Sequence, residues 1–138
     1  MKLNYDCIRD VLLLAERELI FTEKEDGFLE SSYLHISGIC KALPQYSKAD
    51  LVYTIHMLDE AGFLRAEIQW ATGGIYDCYL LQMTYYGHQF LERVRDDQRW
   101  SKVKAAAAAI KDYSLAAISS FAEGITAGAI ETLLAKKL

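Results

Sequence analysis

This chain of 138 residues has one proline and three cysteines, too few for a framework of disulfide bonds. A single proline, set among many Leu, Ala and Ile, leaves long stretches free to form helix. The three cysteines, Cys7, Cys40 and Cys78, are odd in number, widely spaced and placed in apolar stretches. This usage argues against a disulfide framework and predicts free buried thiols, so we expect a cytoplasmic protein.

Motifs that would mark an enzyme or a bound cofactor are also lacking. The sequence contains neither C-x-x-C nor H-E-x-x-H, and Gly73-Gly74 is too short for a phosphate-binding loop. His56 and Asp59 lie three residues apart on a predicted helix, which alone is a weak metal signal. We therefore expect no catalytic residues, no metal and no cofactor, and hence a non-enzymatic protein.

Uncharged apolar runs long enough for a membrane are missing as well. The N-terminal MKLNYDCIRD has no apolar core after its lysine, which predicts no signal peptide. Near the other end, Gly124-x-x-x-Gly128 could pack closely against a second helix, but Glu123 and Glu131 fall within the window that would have to span. We expect no membrane partner.

Positive charge is in short supply, with a net charge of −4. Residues 1–31 hold four basic against eight acidic side chains, whereas residues 65–104 hold six basic against five acidic ones. This balance counts against strong non-specific affinity for DNA, although a local basic face can exist on an acidic protein. Hydrophobic residues at 52% and charged residues at 25% are typical of one globular domain.

What is present is a predicted order of helix, turn, longer helix and two-stranded ribbon over residues 36–84. Ser37 is the expected N-cap of a helix over 38–43 that Pro44 ends. Ser47 should cap the longer helix, with Asp50 in a capping-box position and Gly62 as the C-cap.

The ribbon is predicted from two alternating segments, residues 65–70 and 77–83, joined by a turn at Thr72-Gly73-Gly74. A short strand over 33–36 should join its edge. The sequence thus predicts a mainly α protein with a small antiparallel β-ribbon, a winged helix-turn-helix extended by long C-terminal helices.

The flanking segments are predicted from caps and helical spacing. Asn4 should cap a first helix, and the acidic stretch 22–27 is expected to be a loop. One long helix should run from Thr84 through the alanine run at 105–109, and Ser114 should cap a last helix.

We therefore expect a winged-helix domain over residues 1–104 and a helical extension over 105–138 that forms a homo-oligomer, because a terminal helix with a broad apolar face needs a covering surface. Trp100 could instead anchor the long helix within the chain. The side chains expected in the oligomer contact are Trp100, Leu115, Ile118, Phe121, Ile125, Ala129 and Leu133.

The segment after the ribbon carries a family resemblance. It contains Met83-Thr84-Tyr85-Tyr86-Gly87-His88-Gln89-Phe90-Leu91, then Arg95-Asp96-Asp97 and Trp100-x-Lys102-Val103-Lys104. This block resembles a family of uncharacterised bacterial and phage proteins, domain-of-unknown-function family 2513, and Asp6-Cys7-Ile8-Arg9 and Ser114-Leu115 agree with it. The resemblance implies a winged-helix-like fold that is frequent in prophages, and it supplies no catalytic residues.

Two functions remain open. The first is a small phage or bacterial regulator that binds DNA through the outward face of the longer helix. The second is a protein-interaction module, for example a phage protein that binds and modulates a host or defence protein; the acidic N-terminal region and the uncharged ribbon tip favour it. The residues expected to contact either partner are Lys48, Tyr53, His56, Arg93, Arg95, Arg99, Lys102 and Lys104.

Overall fold

The computed structural model describes residues 1–124, which form six helices and two small antiparallel sheets. The fold of this part is therefore mixed α/β. The helices are α1 (Tyr5–Glu18), α2 (Ile36–Ala42), α3 (Lys48–Glu60), α4 (Tyr85–Val94), α5 (Asp97–Ile110) and α6 (Leu115–Gly124). The strands are β1 (Phe21–Glu23), β2 (Leu29–Ser31), β3 (Leu34–His35), β4 (Leu64–Ala71) and β5 (Gly74–Met83).

The chain divides into two compact units, residues 1–88 and a second unit that begins at Gln89. The boundary predicted from the sequence, between residues 104 and 105, stays a prediction.

The predicted ribbon is present as β4 and β5, which pair antiparallel from Leu64 opposite Met83 to Ala71 opposite Gly74. Gly73 takes a φ of 88° in the connecting turn, a backbone region that glycine enters without steric cost. The short strand β3 pairs with the other edge of β5, so the sheet order is β3-β5-β4.

Helices α1 and α3 supply most of the core of the first unit. They pack against each other, α1 also contacts β5, and α3 also contacts α2 and β4. The inward side chains follow the spacing of one helical face on each helix and alternate along the strands. They are Cys7, Ile8, Val11, Leu12, Leu14 and Ala15 from α1, Leu51, Thr54, Ile55 and Leu58 from α3, and Leu64, Cys78 and Leu80 from the ribbon.

Three of the four predicted N-caps are confirmed by side-chain oxygens that accept backbone N–H groups. Asn4 accepts from Cys7 at 3.1 Å, Ser47 from Asp50 at 3.1 Å, and Ser114 from Ala117 at 3.1 Å. The prediction for Ser37 is wrong, because α2 begins at Ile36, two residues before the predicted start, and His35 is its N-cap.

Helix α3 ends in a double hydrogen-bonded turn. Its C-cap is Ala61, so the prediction of Gly62 as the C-cap is wrong by one residue, and Gly62 directly follows the cap. The N–H of Gly62 donates to the carbonyl of Asp59 and that of Phe63 to the carbonyl of Leu58, while Gly62 has a φ of 80°. These two bonds satisfy carbonyls that the end of a helix would otherwise leave unpaired.

The start of α4 is fastened to this turn. The Thr84 hydroxyl donates to the Gly62 carbonyl, the Thr84 N–H donates to the Phe63 carbonyl at 3.1 Å, and the same hydroxyl accepts from the Gly87 N–H at 3.2 Å. Gly87 is buried so close to Phe63 that a Cβ at this position would lie 1.9 Å from the Phe63 carbonyl oxygen.

Two segments differ from the sequence prediction. The stretch 22–27 was expected to be a loop, but Phe21–Glu23 and Leu29–Ser31 form a β-hairpin whose turn contains Gly27 at a φ of 86°. The expected single helix after Thr84 is broken between Val94 and Asp97, because the Asp96 side chain accepts the Arg99 N–H at 2.8 Å and caps a new helix.

Replacing Gly87 by alanine should destabilise the first unit, because the new methyl group would overlap the Phe63 carbonyl oxygen. Overpacking of this kind costs about 1–3 kcal/mol, measurable as a lower urea midpoint. Gly38→Ala is the matched control, since a Cβ on this exposed α2 residue meets no atom within 4 Å. A Gly87→Ala variant as stable as the Gly38→Ala variant would contradict this packing.

Candidate interaction surface

The three predicted contact residues of α3 differ in how much surface they present. Lys48 is exposed in the first turn, Tyr53 is half-buried, and only 22% of the His56 side chain is exposed. Lys48 is therefore the one among them that extends a full positive charge into solvent.

His56 is enclosed by groups of its own chain. Its ring meets the Trp70 ring edge to face, with centroids 5.4 Å apart, and its Nε2 lies 3.5 Å from Glu60 Oε1. Nδ1 is buried and has no hydrogen-bond partner among the residues the structure describes. The proton of a neutral ring therefore belongs on Nε2, toward Glu60. With its ring packed against Trp70 and little of it exposed, His56 is poorly placed to contact a phosphate group.

The ribbon is joined to the end of α3 by a second contact. Asp59 Oδ1 accepts the backbone N–H of Ala66 at 3.0 Å, which ties its carboxylate to β4. Asp59 is half-buried, and this bond engages its carboxylate within the chain. Together with the ring contact of His56 and Trp70, this bond places the ribbon along one flank of α3.

The surface that remains exposed here is aromatic and short of cations. Trp70 and Tyr76, on either side of the uncharged ribbon turn, are 60% and 64% exposed. Helix α3 carries Lys48 against three acids, Asp50, Asp59 and Glu60. Phosphate-binding surfaces need a basic surplus, whereas exposed aromatic side chains are enriched where proteins meet.

The opposite face of the sheet carries a polar cluster that no motif in the sequence predicts. His35 on β3 lies opposite Tyr79 on β5, with ring centroids 4.9 Å apart, and His35 Nε2 lies 2.5 Å from Asp77 Oδ1. Partial burial opposes ionisation of Asp77. Hydrogen bonds from His35, the Cys78 N–H and Tyr79 outweigh it and lower the pKa of the carboxyl below its ordinary value. The bond to Asp77 raises the pKa of Tyr79.

This cluster has a structural role at the start of α2. His35 Nδ1 accepts the Ser37 N–H at 3.2 Å and lies 2.8 Å from Ser37 Oγ. The Ser37 hydroxyl, the His35 imidazole and the Asp77 carboxylate are thus arranged in the same order as the catalytic triad of a serine hydrolase. However, the cavity beside Asp77 measures only about 20 Å³, room for one water molecule. The bonds cap α2 and join β3 to β5.

A model of a family described as "Hypothetical protein (DUF2513)" matches residues 2–114. The chain belongs to the DUF2513 family. The family expected from the block after the ribbon is thereby confirmed. No curated protein and no solved structure matches the chain.

Within this DUF2513 protein, the Thr84 and Gly87 of that block have a visible physical role, since they fasten α4 to the end of α3. In residues 1–124, no helix has both the length and the hydropathy to cross a bilayer. The same residues contain no group of three or more His, Cys, Asp or Glu side chains that could hold a metal ion.

The remaining predicted contact residues belong to the second unit of this DUF2513 protein. Arg95 Nη2 lies 3.3 Å from Glu92 Oε2, Arg99 Nη2 donates to the Ala122 carbonyl at 2.5 Å, and Lys104 Nζ lies 5.7 Å from the centroid of the Trp100 ring. Arg93 and Lys102 are half-buried. These cations interact with groups of their own chain, which reduces what they offer to a phosphate backbone.

The residues predicted to form an oligomer contact fall into two groups. Trp100, Ile118 and Phe121 are buried within the chain, in a unit where α5 packs against α6, and Leu115 is half-buried. A single copy therefore exposes little of these side chains to a second copy. Ile125, Ala129 and Leu133 lie outside the described residues, and the oligomer stays a prediction.

The free thiols follow the prediction only in part. All three cysteines are free, but only Cys7 and Cys78 are buried, whereas Cys40 is half-buried. Burial raises the pKa of the Cys7 thiol and raises that of Cys78 to about 11. Both buried thiols are therefore protonated near neutral pH and act as small apolar side chains.

Asp77 should titrate below the ordinary aspartate value of 3.8 in the folded protein. Because the lower pKa belongs to the folded state, the carboxylate adds stability above the unfolded value, and this contribution disappears as pH falls through the folded value. The carboxyl ¹³C chemical shift followed by NMR measures the midpoint directly. The Asp77→Asn variant should lose this part of the pH dependence of the free energy of unfolding. A titration midpoint of Asp77 at or above 3.8 in the wild type would contradict the geometry of the cluster.

Proposed function

We propose that the first unit is a winged-helix domain and that the protein is a non-enzymatic module that binds another protein. The element order supports the first part: a strand, two helices joined by a short turn, and a ribbon whose second strand pairs with the first strand. In this fold, α3 and the β4–β5 ribbon are the elements presented to a partner.

The observation that carries the proposal is the contact of the ribbon with α3. His56 faces Trp70 and Glu60, and Asp59 binds β4, so two polar side chains of α3 are engaged within the chain. On the adjoining ribbon, the Trp70 and Tyr76 side chains are 60% and 64% exposed. Large aromatic side chains with a polar edge are the residue types that dominate binding energy between proteins.

DNA binding, the first expectation from the sequence, has less support. Direct reading of base edges relies mostly on Arg, Lys, Asn or Gln side chains at the exposed positions of the helix, and of these residue types α3 contains Lys48 alone. Its surplus of acids would repel the phosphate backbone, and the turn of the ribbon carries no cation to insert into a groove.

A titration with fluorescent random duplex DNA at low salt tests the proposal. Non-specific DNA binding by proteins typically has a Kd of about 10⁻⁴–10⁻⁶ M at physiological salt and weakens steeply as salt rises. We expect no saturable change in anisotropy up to tens of micromolar protein, on the order of that range. Saturable binding that declines with salt and is weakened by Lys48→Ala, but not by Lys2→Ala, would overturn the proposal.

A photo-reactive phenylalanine analogue in place of Tyr76 provides the positive arm. Irradiation in a bacterial lysate should produce adducts that protease removes and nuclease leaves intact. The same analogue in place of Lys111, an exposed residue of the second unit, controls for random collisions. Adducts that nuclease removes, or equal adducts at both positions, would count against a protein partner at the ribbon.

A further inference from the structure

The hairpin of β1 and β2 exposes an unusual amount of apolar surface. Every residue from Phe21 to Ser31 is exposed, and Phe21 and Leu29 are 66% and 57% exposed. Phe21 pairs with Ser31 and Glu23 with Leu29, so these four side chains share one face of the hairpin. Apolar side chains that have no structural role in the chain's own core are typical of a surface that a partner covers.

The hairpin is held in a defined conformation by bonds at both ends. At its base, Ser32 Oγ accepts the Ile20 N–H at 2.8 Å and donates to the Glu18 carbonyl at 3.2 Å. At its tip, Asp26 accepts the Phe28 N–H at 3.0 Å. A binding element that is ordered before it meets its partner loses less conformational entropy on association.

A cleft of about 180 Å³ opens at the base of the hairpin, on the side of the Phe21 face. Its walls come from the end of α1, the hairpin base, the end of β5 and His88. The lining is mixed. Its apolar residues include Leu19, Ile20, Phe21, Leu81 and Met83, and its polar residues are Glu16, Ser31, Ser32, Gln82 and His88. An apolar cavity of about 150 Å³ is sufficient for a benzene molecule, so this cleft has room for one large apolar side chain.

The charge around the cleft and the hairpin is strongly negative. Between Ile20 and Ser32 the chain has four carboxylates and one lysine, and that lysine, Lys24, lies 3.0 Å from Glu30. Glu16 lines the cleft itself. An acidic rim around an apolar centre is complementary to a basic segment that presents an apolar anchor.

We propose that the hairpin and the cleft form a docking site for a short segment of a partner protein in which one large apolar side chain is flanked by Lys or Arg. The anchor enters the cleft against Phe21 and Leu81, and the flanking cations lie along Glu23 and the neighbouring carboxylates. This inference deepens the proposed function, on which it rests, by naming a second surface and the chemistry of its partner.

A random library of 12-residue peptides displayed on phage is the probe, selected against the purified full chain. The selected sequences should share an apolar residue next to Lys or Arg. Anisotropy of the best fluorescein-labelled synthetic peptide then gives its Kd. We expect Phe21→Ser to weaken binding at least about tenfold, as for a central interface residue, and Glu23→Lys to weaken it about threefold and reduce its salt dependence.

Tyr86→Ser is the matched control, because Tyr86 is as exposed as Phe21 but lies on α4, outside the lining of the cleft. It should leave the Kd unchanged, and circular dichroism should show that all three variants keep their fold. Peptides lost with the ribbon variant Tyr76→Ser but kept with Phe21→Ser would overturn the hairpin site while leaving the proposed function intact.

Two other results would also overturn the inference. One is a library that yields no common basic and apolar pattern. The other is self-association in sedimentation that Phe21→Ser abolishes, because the occupant of the cleft would then be a second copy of the chain.

Discussion

The turn that ends α3 is the constraint on which the arrangement of the first unit depends. Gly62 reverses the chain, and Thr84 and Gly87 hold the turn from the start of α4. With the turn fixed, β4 must run back along the helix, and this direction brings Ala66 within hydrogen-bond distance of Asp59 and Trp70 against His56. In the block of residues that relates the chain to the DUF2513 family, Thr84 and Gly87 therefore serve to position the ribbon against α3.

That geometry has a direct consequence for binding. A helix whose polar side chains already contact its own ribbon offers few free groups to a nucleic acid, and the acids of α3 reduce its affinity for phosphate further. The surfaces that stay exposed are apolar or aromatic: Trp70 and Tyr76 on the ribbon, and Phe21 and Leu29 on the acidic hairpin. Both surfaces support the proposal of a protein partner, and they are separate enough in sequence to be tested by separate substitutions.

Local signals in the sequence predicted the elements well. Asn4, Ser47 and Ser114 were identified as caps because an N-cap needs only a side-chain oxygen beside the first turn. The same chemistry explains two errors. The apolar spacing continues across Asp96, so it predicted one helix where Asp96 in fact caps a new one. Asp26-Gly27 is a typical hairpin turn, but the acidic composition of 22–27 led to the prediction of a loop. The enclosure of His56 was beyond prediction, because helical spacing does not reveal on which flank a ribbon will lie.

A double-mutant cycle between His56 and Trp70 tests the contact of α3 with the ribbon most directly. The free energy of unfolding in urea would be measured for the wild type, for His56→Ala, for Trp70→Ala and for the double variant. The account predicts a coupling of about 0.5–1.5 kcal/mol, as found for ring pairs in contact. If the two single effects add to within about 0.3 kcal/mol, the ribbon does not hold His56, and its imidazole is available to a partner after all.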